Sequence, residues 1–496
     1  MLDHLLPLYT AAQTRELDRI AIEDEGISGC ELMQRAASRT FQHILDIKPN
    51  CKKIIVICGM GNNGGDGYLV AKMAHAQGIQ VDLLQLGNLQ KQRGDALRAR
   101  QAAQSAGLQV KPYNKDISLD AEIIIDALLG TGLTRVVTGL WLFAIHAINA
   151  ANAQVVAVDI PSGLHADTGC EMGAAVRAVS TVTFIGRKQG LYTGDGKACA
   201  GQVVYHCLDV PPRVYERVCP SAQLLPGQAS LSRLKPRKRN SHKGDHGHVL
   251  IVGGAPGMSG AVTMAASAAL RSGSGLVSVA THPDHAANIS QYQPEIMAHG
   301  VQTVRQLTYL IERADVIVFG PGAGQSVWSK TLFASLSTLE KPLILDADGL
   351  NLLATKTQKK TNWVLTPHPG EAARLLKCTG TEIQQDRFLA VRQLQSTFGG
   401  ICVLKGAGTL IADVDHIRVC AAGNPGMASA GMGDMLTGVL AGFIAQFAGK
   451  HENLMDIVSF AVSLHSRAGD QAAKKGGERG LLATDLLPFI RGLVND

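Results

Sequence analysis

The stretch KIIVICGMGNNGGDG, residues 53–67, indicates most directly how this chain folds. Lys53–Cys58 is a short run of apolar residues that suits a strand buried on both faces. A loop with five glycines in nine residues follows, and a helical pattern covers Tyr68–Gln77. A buried strand, a glycine-rich loop and a helix in this order open a parallel sheet covered by helices. The stretch therefore predicts a doubly wound α/β fold.

Further apolar runs, each followed by a helical pattern, extend this arrangement along the chain. After a mostly helical opening, the first series of predicted strands is Lys53–Cys58, Ile79–Leu86, Ala121–Ile125, Gln154–Val158 and Ser180–Ile185. The second series is His248–Val252, Leu276–Ala280, Asp315–Phe319, Pro342–Leu345, Trp363–Leu365 and Ile401–Leu404. Between them, residues 211–239 are irregular and rich in proline. The sequence thus predicts two doubly wound domains, at residues 1–224 and 225–496, without an obvious repeat period.

Composition narrows the class of protein. The chain has 496 residues, which is too long for a single hydrophobic core. Apolar residues make up 46% of it, which is enough to build two cores. Only 4% of the residues are aromatic and the net charge is +6, so we expect no nucleic-acid binding. Long uncharged stretches such as Val249–Leu270 are interrupted by glycine, so we expect no membrane span. Ten scattered cysteines without a CxxC pair, and an opening with Asp3 and His4 instead of a signal peptide, predict a cytoplasmic protein.

The glycine loop in the first domain has more than one interpretation. Residues 59–64 satisfy GxGxxG, the pattern of a dinucleotide-binding turn. However, the acid expected about 20 residues later to bind a ribose is Asp82, which lies inside a predicted strand. The loop also carries polar residues where a dinucleotide turn needs small ones: Asn62, Asn63 and Asp66. Their oxygen atoms suit a hard cation or a polar ligand as well as a phosphate, and a tight turn without a ligand is the alternative.

Two more predicted strands in the first domain end in an acid that precedes a glycine loop. Asp126 lies in IIIDALLGTG and Asp159 in VVAVDIPSGL. The carboxyl ends of parallel strands meet at one edge of the sheet, where ligands bind in open α/β folds. One such acid alone would more often cap a helix. Three strand ends of this kind predict a ligand site at that edge.

These segments, together with TFIGRKQGLYTG, resemble the NAD(P)H-hydrate epimerase family, the YjeF N-terminal domain, over about residues 10–220. The resemblance implies a Rossmann-like α/β/α sandwich that epimerises the hydrated carbon of damaged NADH or NADPH. It implies a bound potassium ion, with Asn63, Asp126 and Ser162 as ligands. It implies hydrate contacts at Asn62, Asn63, Gly64, Gly65, Asp66, Gly130, Thr131, Gly132, Leu133, Thr134, Arg135, Val136 and Asp159.

Proton transfer at the hydrated carbon needs a carboxylate beside it, so we expect Asp159 to be the catalytic acid or base. Lys188 is a candidate to assist it. Gln189 stands where relatives often have proline, which leaves the geometry of that loop open. The alternative is a domain that binds the hydrate without catalysis.

The second domain carries its most informative pattern at residues 424–442, NPGMASAGMGDMLTGVLAG. Glycines and alanines leave backbone N–H groups accessible at the start of a long apolar helix, with Asp434 in its first turn. Such a helix start stabilises the charge of a transferring phosphoryl group, and a carboxylate beside it can accept a hydroxyl proton. An acidic residue at the start of a buried helix is the alternative. Upstream, LKGAGT at residues 404–409 can hold nucleotide phosphates, and without GxxxxGK[ST] the domain is not a P-loop kinase.

SHKGDHG, TPHPGEAARLL and GMASAGMGD resemble the ADP-dependent NAD(P)H-hydrate dehydratase, the YjeF C-terminal domain of the ribokinase-like superfamily, over about residues 228–496. The resemblance implies that the hydrate hydroxyl is phosphorylated from ADP and that phosphate then leaves, which restores the nicotinamide double bond. Asp434 would deprotonate the hydroxyl. The implied nucleotide contacts are Lys405, Gly406, Ala407, Gly408, Thr409 and Gly433. The implied hydrate contacts are Ala261, Gly322, Gly324, His368 and Asp434.

Some roles in the second domain stay open at this point. His368 lies between two prolines, so a turn or capping role is the alternative to hydrate contact. Asp346 and Asn351 are candidates to order magnesium-bound water. The sequence does not decide between ADP and ATP as phosphoryl donor.

Together the two domains predict a bifunctional repair enzyme, an isomerase and a lyase, that converts both epimers of hydrated NADH or NADPH. We expect the hydrates and ADP as its small-molecule partners, and a homo-oligomer for which a tetramer is one option. A ribokinase-like small-molecule kinase fused to a nucleotide-binding domain is the alternative enzyme. A non-enzymatic nucleotide sensor is the alternative outside catalysis.

Overall fold

A computed structural model describes residues 5–226, 234–449 and 453–496. The chain divides into two compact units, Pro7–Ala222 and a second that comprises Met1–Leu6 and Gln223–Asp496. Asp3 and His4, on which part of the expectation about localisation rests, lie outside the described residues. Within the described ranges no helix has the length and apolar character that crossing a membrane requires. All ten cysteines are described, and none of them forms a disulfide.

Strands and helices alternate through the first part of the chain. The strands are β1 (Leu6–Leu8), β2 (Lys53–Cys58), β3 (Gln80–Gln85), β4 (Val110–Pro112), β5 (Ile123–Ala127), β6 (Gln154–Val158), β7 (Ser180–Phe184), β8 (Gln202–His206) and β9 (Ala222–Leu224). The α-helices are α1 (Ala11–Arg19), α2 (Gly29–Ile47), α3 (Asn62–Ala76), α4 (Gly94–Ser105), α5 (Gly139–Ala150), α6 (Gly196–Cys199) and α7 (Pro212–Glu216). The seven strands β2–β8 form one parallel sheet in the order β4-β3-β2-β5-β6-β7-β8.

The register of the central strands of this sheet explains where its site lies. Ile54 pairs with Ile123, and Ile123 pairs with Gln154, so β2, β5 and β6 end at the same edge. Their side chains are almost entirely buried because helices cover both faces. The glycine loop after β2, Asp126 near the end of β5 and Asp159 after β6 therefore lie at one edge, as the strand-end argument requires.

The helix after β2 begins earlier than the sequence indicates. It starts at Asn62 and not at Tyr68, so the loop is reduced to Gly59–Gly61. The glycines that follow belong to the first two helical turns, where they allow close packing: a Cβ on Gly64 would collide with the Gly59 carbonyl. The low helix propensity of glycine hid this helix start in the sequence, because tertiary packing overrides it.

The second part of the chain continues the alternation. Its strands are β10 (His248–Val252), β11 (Leu276–Thr281), β12 (Met297–Gly300), β13 (Val316–Phe319), β14 (Leu343–Leu345), β15 (Trp363–Leu365), β16 (Ile401–Leu404), β17 (Thr409–Ala412) and β18 (Ile417–Cys420). Its α-helices are α8 (Ser259–Arg271), α9 (Pro283–Tyr292), α10 (Val304–Arg313), α11 (Val327–Leu336), α12 (Asp348–Thr355), α13 (Pro369–Leu376), α14 (Gly380–Gln385), α15 (Arg387–Phe398), α16 (Met432–Phe447), α17 (Leu454–Gly476) and α18 (Leu486–Leu493).

The sheet of the second unit has the order β9-β18-β17-β16-β15-β14-β13-β10-β11-β12. The strands β10–β16 are parallel, whereas β17 is antiparallel to both β16 and β18. The predicted α/β fold class is confirmed for both units. The antiparallel hairpin β17–β18 was missed because no helix separates β16, β17 and β18, whereas the alternating pattern predicts strands that are separated by helices.

Glycines also set the close packing of α16 against α8. A Cβ on Gly438 would collide with the carbonyl oxygen of Ala265, and one on Gly442 would collide with the Ser272 hydroxyl. The helix begins after Gly431, whose φ of 85° lies in the left-handed region that favours glycine. This packing fixes the start of α16, and Asp434 in its first turn, at the end of the sheet where the strands β14 and β16 finish.

Candidate active sites

The first unit holds a cavity of about 720 Å³ at the carboxyl edge of its sheet. Most of the predicted contact residues line it: Asn62, Asn63, Asp66, Gly130, Thr131, Gly132, Leu133, Thr134, Arg135 and Asp159. Gly64, Gly65 and Val136 do not line this cavity. Gly64 and Gly65 serve close packing in α3, and the Val136 side chain is exposed. Helices α1 and α2 contribute the other wall, through residues such as Asp18 and Met33.

Asp159 is held in an unusual backbone conformation by the residues around it. Its φ of 67° is left-handed, which is uncommon outside glycine and asparagine and points to a constrained position. Its Oδ1 forms an ion pair with Nζ of Lys188 and accepts hydrogen bonds from the Thr183 hydroxyl at 3.3 Å and the Phe184 N–H at 3.2 Å. Lys188 is only 1% exposed and also donates to the Phe184 carbonyl at 3.0 Å. The carboxylate is therefore oriented into the cavity by a buried lysine.

Two further carboxyl groups line the same cavity. Asp66, on α3, has a pKa raised well above its ordinary value by burial and by the charges of Asp159 and Asp18. Asp18, on α1, has a pKa raised to about 6 by burial and by Asp159, against the lowering effect of Lys188 and Arg15. The sequence did not single out Asp18, since α1 precedes the sheet and has no strand-end motif. The cavity thus combines three carboxyl groups with one buried lysine.

Asp126 lies beneath this cavity in a cluster of hydrogen bonds. Fully buried, it accepts from the Ser162 N–H at 2.7 Å and the Ser162 hydroxyl at 2.5 Å. Burial raises its pKa to about 6, opposed by these hydrogen bonds from Ser162 and by the Leu128 N–H. The amide of Asn63 donates to the Leu129 carbonyl at 2.9 Å, and its buried Oδ1 has no partner among the described residues.

The oxygen atoms of this cluster fit a hard monovalent cation. They combine a carboxylate, a hydroxyl and an amide oxygen, which are ligands that such ions prefer. The unpartnered Oδ1 of Asn63 is the strongest sign, because a buried amide oxygen without a hydrogen bond is costly unless a ligand satisfies it. The predicted ligands Asn63, Asp126 and Ser162 are brought together around the Leu129 backbone, whose N–H donates a hydrogen bond to Ser162 Oγ at 2.8 Å.

The second unit has a charged cluster at the ends of β14 and β16. Asp346, 1% exposed, pairs with Lys405 Nζ at 2.9 Å and accepts from the Thr366 and Thr437 hydroxyls, each at 2.9 Å. Burial alone would raise the pKa of Asp346, but Lys405 and the two hydroxyls hold it below its usual value. Glu371 lies 3.7 Å from the same ammonium group. Lys405 therefore stays charged between two carboxylates.

Asp434 lies beside this cluster in the first turn of α16. Its pKa is raised to about 7 by burial and by the charges of Asp346 and Glu371, with Lys405 acting in the opposite direction. A carboxyl group that exchanges its proton near neutral pH suits general base catalysis. A Cβ on Gly433 would lie 3.2 Å from Lys405 Nζ, so the helix start and this ammonium group face each other directly. Positive charge and backbone N–H groups therefore meet at one point, an arrangement that can stabilise the charge of a phosphoryl group.

The predicted nucleotide loop, residues 405–409, comprises the turn between β16 and β17 and the first residue of β17. Gly406 has a φ of 137° and Gly408 a φ of 65°, and the Thr409 hydroxyl donates to the Gly406 carbonyl at 3.1 Å. Arg387, which the sequence did not single out, is 1% exposed and packs against the buried side of the loop. Its guanidinium contacts three carbonyl oxygens at 3.3–3.5 Å: those of Leu404, Lys405 and Gly408. Gly406 and Ala407 at the tip remain exposed.

The predicted hydrate contacts fall into two groups. A Cβ on Gly322 would lie 3.2 Å from the Ala261 side chain, so these two residues are neighbours, and the Gly324 N–H donates to Asp348 at 2.8 Å. His368 has the capping role that was the alternative: its Nδ1 accepts from the N–H groups of residues 370 and 371 at 3.0 and 3.3 Å. The ring is still about half exposed, so its outer edge can contact a ligand.

The residues considered for magnesium do not fit a resident metal site. Asn351 bonds to Arg374 and to Asp348, and both oxygens of Asp346 accept hydrogen bonds within the protein. Across residues 5–226, 234–449 and 453–496, no three His, Cys, Asp or Glu side chains are grouped as metal ligands. A magnesium ion at this site would depend on the phosphates of a bound nucleotide, as is usual for this ion.

Comparisons with known proteins match both units. Residues 29–190 match the family model of the YjeF-related protein N-terminus, and residues 249–491 match that of NAD(P)H-hydrate dehydratase. The chain is 45% identical over 489 residues to the bifunctional NAD(P)H-hydrate repair enzyme Nnr of Coxiella burnetii, covering 98% of this chain and 99% of that protein. It is 41% identical to the Escherichia coli enzyme of the same name, covering 98% and 94%. A solved ADP/ATP-dependent NAD(P)H-hydrate dehydratase from Bacillus subtilis is 28% identical and covers 53% of this chain and 95% of its own, with a TM-score of 0.47.

Proposed function

Because this chain belongs to the family of bifunctional NAD(P)H-hydrate repair enzymes, we propose that each of its two sites carries one activity of that family. The chain combines an epimerase, which is an isomerase, with a dehydratase, which is a lyase. We assign the epimerase to residues 1–224 and the dehydratase to residues 225–496. The assignment is supported by two separate sheets, each with ionisable groups at its carboxyl edge.

In the dehydratase site, Asp434 accepts the proton of the hydrate hydroxyl, whose oxygen then attacks the terminal phosphorus of ADP. The bond from that phosphorus to the bridging oxygen breaks, and AMP leaves. Phosphate then departs from the carbon as the ring nitrogen supplies electrons, and loss of a ring proton restores the double bond. The observation that carries this proposal is that Asp434, Lys405 and the start of α16 meet at one point. Charge developing on the transferred phosphoryl group is stabilised there.

The nucleotide is assigned to residues 405–409 and Gly433, with ADP as donor and magnesium entering together with its phosphates. The exposed tip of the hairpin turn and the adjacent helix start support this placement. The hydrate is assigned to Ala261, Gly322, Gly324 and the outer edge of His368.

The donor and the products test this proposal. Purified protein is mixed with S-NADH hydrate, magnesium and either ADP or ATP, and NADH, AMP and phosphate are measured. We expect the three products to form from ADP in equal amounts. A stable phosphorylated nicotinamide product without released phosphate would instead identify a kinase of the ribokinase-like type.

In the epimerase site, the hydrate is assigned to the cavity lined by Asn62, Asn63, Asp66, residues 130–135 and Asp159. Asp159 exchanges a proton with the oxygen on the hydrated carbon, and buried Lys188 holds the Asp159 carboxylate in place. Asn63, Asp126 and Ser162 are the residues that hold the potassium ion. When bound, that ion supplies a fixed positive charge and satisfies the Asn63 Oδ1 atom.

Arg387 gives a separate test of the nucleotide loop. Replacing it with methionine removes the guanidinium under the turn while keeping an apolar stem, so the loop loses its preorganised shape. We expect the KM for ADP to rise about tenfold, equivalent to about 1.4 kcal/mol of binding. Arg392→Met on the same helix α15, whose side chain bonds to the Asp413 carbonyl at 3.0 Å, is the matched control. An unchanged KM for ADP in Arg387→Met would show that Arg387 does not shape the nucleotide loop for binding.

Assembly and location complete the proposal. We propose a homo-oligomer, with a tetramer as one option, that works in the cytoplasm on small-molecule nucleotides. The absence of disulfides among the ten cysteines supports a reducing compartment. Light scattering on the purified protein measures the oligomer directly.

A further inference from the structure

The epimerase cavity holds a carboxyl group that the proposed function does not use. Asp18 lies on α1, which precedes the sheet, whereas Asp159 follows strand β6. Both line the cavity of about 720 Å³, together with Arg15, Asp66 and Lys188. Carboxyl groups from two separate elements can reach a ligand between them from different sides.

Inversion at a hydrated carbon beside a ring nitrogen needs two proton transfers. First the hydroxyl leaves as water: its C–O bond breaks with both electrons moving to oxygen, an acid gives that oxygen a proton, and the nitrogen lone pair forms a C=N⁺ bond. A water molecule then adds to the other face, its oxygen forms the new C–O bond, and a base takes its extra proton. The reaction consumes no oxidant, reductant or other co-reactant, and it needs an acid and a base at once.

Asp159 suits the second of these steps when the R form is converted to the S form. Its Oδ1 is paired with Lys188, which is 1% exposed, and two further donors bond to the same oxygen. With an ammonium, a hydroxyl and an N–H group donating to one oxygen, this carboxylate is placed as an acceptor, which can take a proton or stabilise a positive ring. A different group must give the departing hydroxyl its proton.

We propose that, when the R form is converted to the S form, Asp18 is the general acid and Asp159 is the general base, and that the two exchange roles in the reverse direction. This assignment rests on the proposed placement of the hydrate in this cavity. In each R-to-S turnover one proton passes from Asp18 to the leaving hydroxyl and one from the incoming water to Asp159, and exchange with solvent resets the pair.

The charges around Asp18 agree with this role and distinguish it from Asp66. Burial and the neighbouring Asp159 raise the pKa of Asp18 to about 6, while Lys188 and Arg15 lower it. Near that value the group both carries a proton and releases it readily. Burial and the charges of Asp159 and Asp18 raise the pKa of Asp66 well above its ordinary value, which favours a protonated carboxyl group that can donate a hydrogen bond to the hydrate.

The test uses the full chain with R-NADH hydrate, whose repair requires epimerisation, and S-NADH hydrate, whose repair does not. We expect Asp18→Asn to slow epimerisation of the R form about 100-fold or more, after the uncatalysed rate is subtracted, and to leave S-hydrate dehydration unchanged. Asp18→Glu is expected to recover part of the rate. Glu16→Gln, an exposed position on the same helix that pairs with Arg19, is the matched control and is expected to behave as wild type.

The pH profile separates a catalytic acid from a merely structural residue. Because the acid must be protonated, wild-type epimerisation is expected to fall as pH rises above about 6, and Asp18→Asn is expected to lack this limb. An Asp18→Asn rate within threefold of wild type, or a limb that persists in it, would overturn the assignment. If Asp18→Asn does not fold, a wild-type profile without that limb, or a limb removed by Asp66→Asn, would overturn it. A wild-type chain that does not epimerise R-hydrate at all would instead reject the proposed function of the cavity.

Discussion

Asp434→Asn is expected to slow dehydration of S-NADH hydrate by about 10²–10⁴-fold, because the hydroxyl then has no base to take its proton. The KM for ADP should change little, since the assigned nucleotide contacts are at residues 405–409 and Gly433. The measurement is the initial rate of NADH formation with saturating ADP and magnesium. Asp415→Asn, which removes a carboxylate from the exposed turn of the β17–β18 hairpin, is the control for the change of net charge.

The pKa of Asp434 adds two checks to this prediction. In the wild type, dehydration should increase as pH rises through about 7, since only the ionised carboxylate acts as base. Because the pKa of Asp434 is raised, ionisation of this carboxyl group destabilises the folded protein. The destabilisation is absent at low pH, where the group is protonated, and present above neutrality. Asp434→Asn is therefore expected to unfold at the same or a higher temperature at pH 8. A slow variant with a lower unfolding temperature would indicate damage to the fold instead of loss of a base.

Asp159→Asn is the second large effect, and it should act on the other activity. Epimerisation of R-hydrate is expected to fall about 10²–10⁴-fold, while S-hydrate dehydration stays at the wild-type rate. Asparagine tolerates the left-handed backbone at this position, so the main chain should keep its shape. Chromatographic separation of the R and S hydrates at successive times measures the epimerisation rate directly. Epimerisation at the wild-type rate would exclude Asp159 as base.

The same substitution should also destabilise the first unit. It leaves Lys188, 1% exposed, without its charged partner, and breaking a buried ion pair costs about 3–5 kcal/mol. The double variant Asp159→Asn with Lys188→Met should regain much of the stability without regaining epimerisation. Denaturant unfolding of the three proteins measures this. Equal stability of the single variant and the wild type would show that the ion pair contributes little.

The strands of both sheets could be predicted because continuous apolar runs in a doubly wound fold carry a strong signal. β2, β6, β10, β15 and β16 have the predicted bounds. The hairpin of β17 and β18 gave no such signal, since no helix separates β16, β17 and β18. The start of α3 at Asn62 was hidden by glycines, which disfavour helices until packing against β2 and β5 requires them.

The site residues that could be predicted are those that come directly after a predicted strand or lie at the start of a glycine-rich helix. Asp126, Asp159 and Asp434 are such residues. No such motif marks Asp18 or Arg387: Asp18 lies within α1 and Arg387 begins α15, and each reaches its site only through the tertiary fold. Lys405 was predicted to bind nucleotide, but its pairing with Asp346 over 59 residues of sequence depends on the register of β14, β15 and β16.

Repair of pure R-NADH hydrate tests the central claim most directly, because it requires both sites in one chain. The purified wild-type protein is given R-hydrate, ADP and magnesium, and the appearance of NADH is followed beside an identical reaction with Asp159→Asn. We predict that the wild type converts all of the R-hydrate to NADH faster than R-hydrate epimerises spontaneously. One AMP should form for each NADH. NADH formation from R-hydrate at the spontaneous rate, by a protein that converts S-hydrate quickly, would contradict the account.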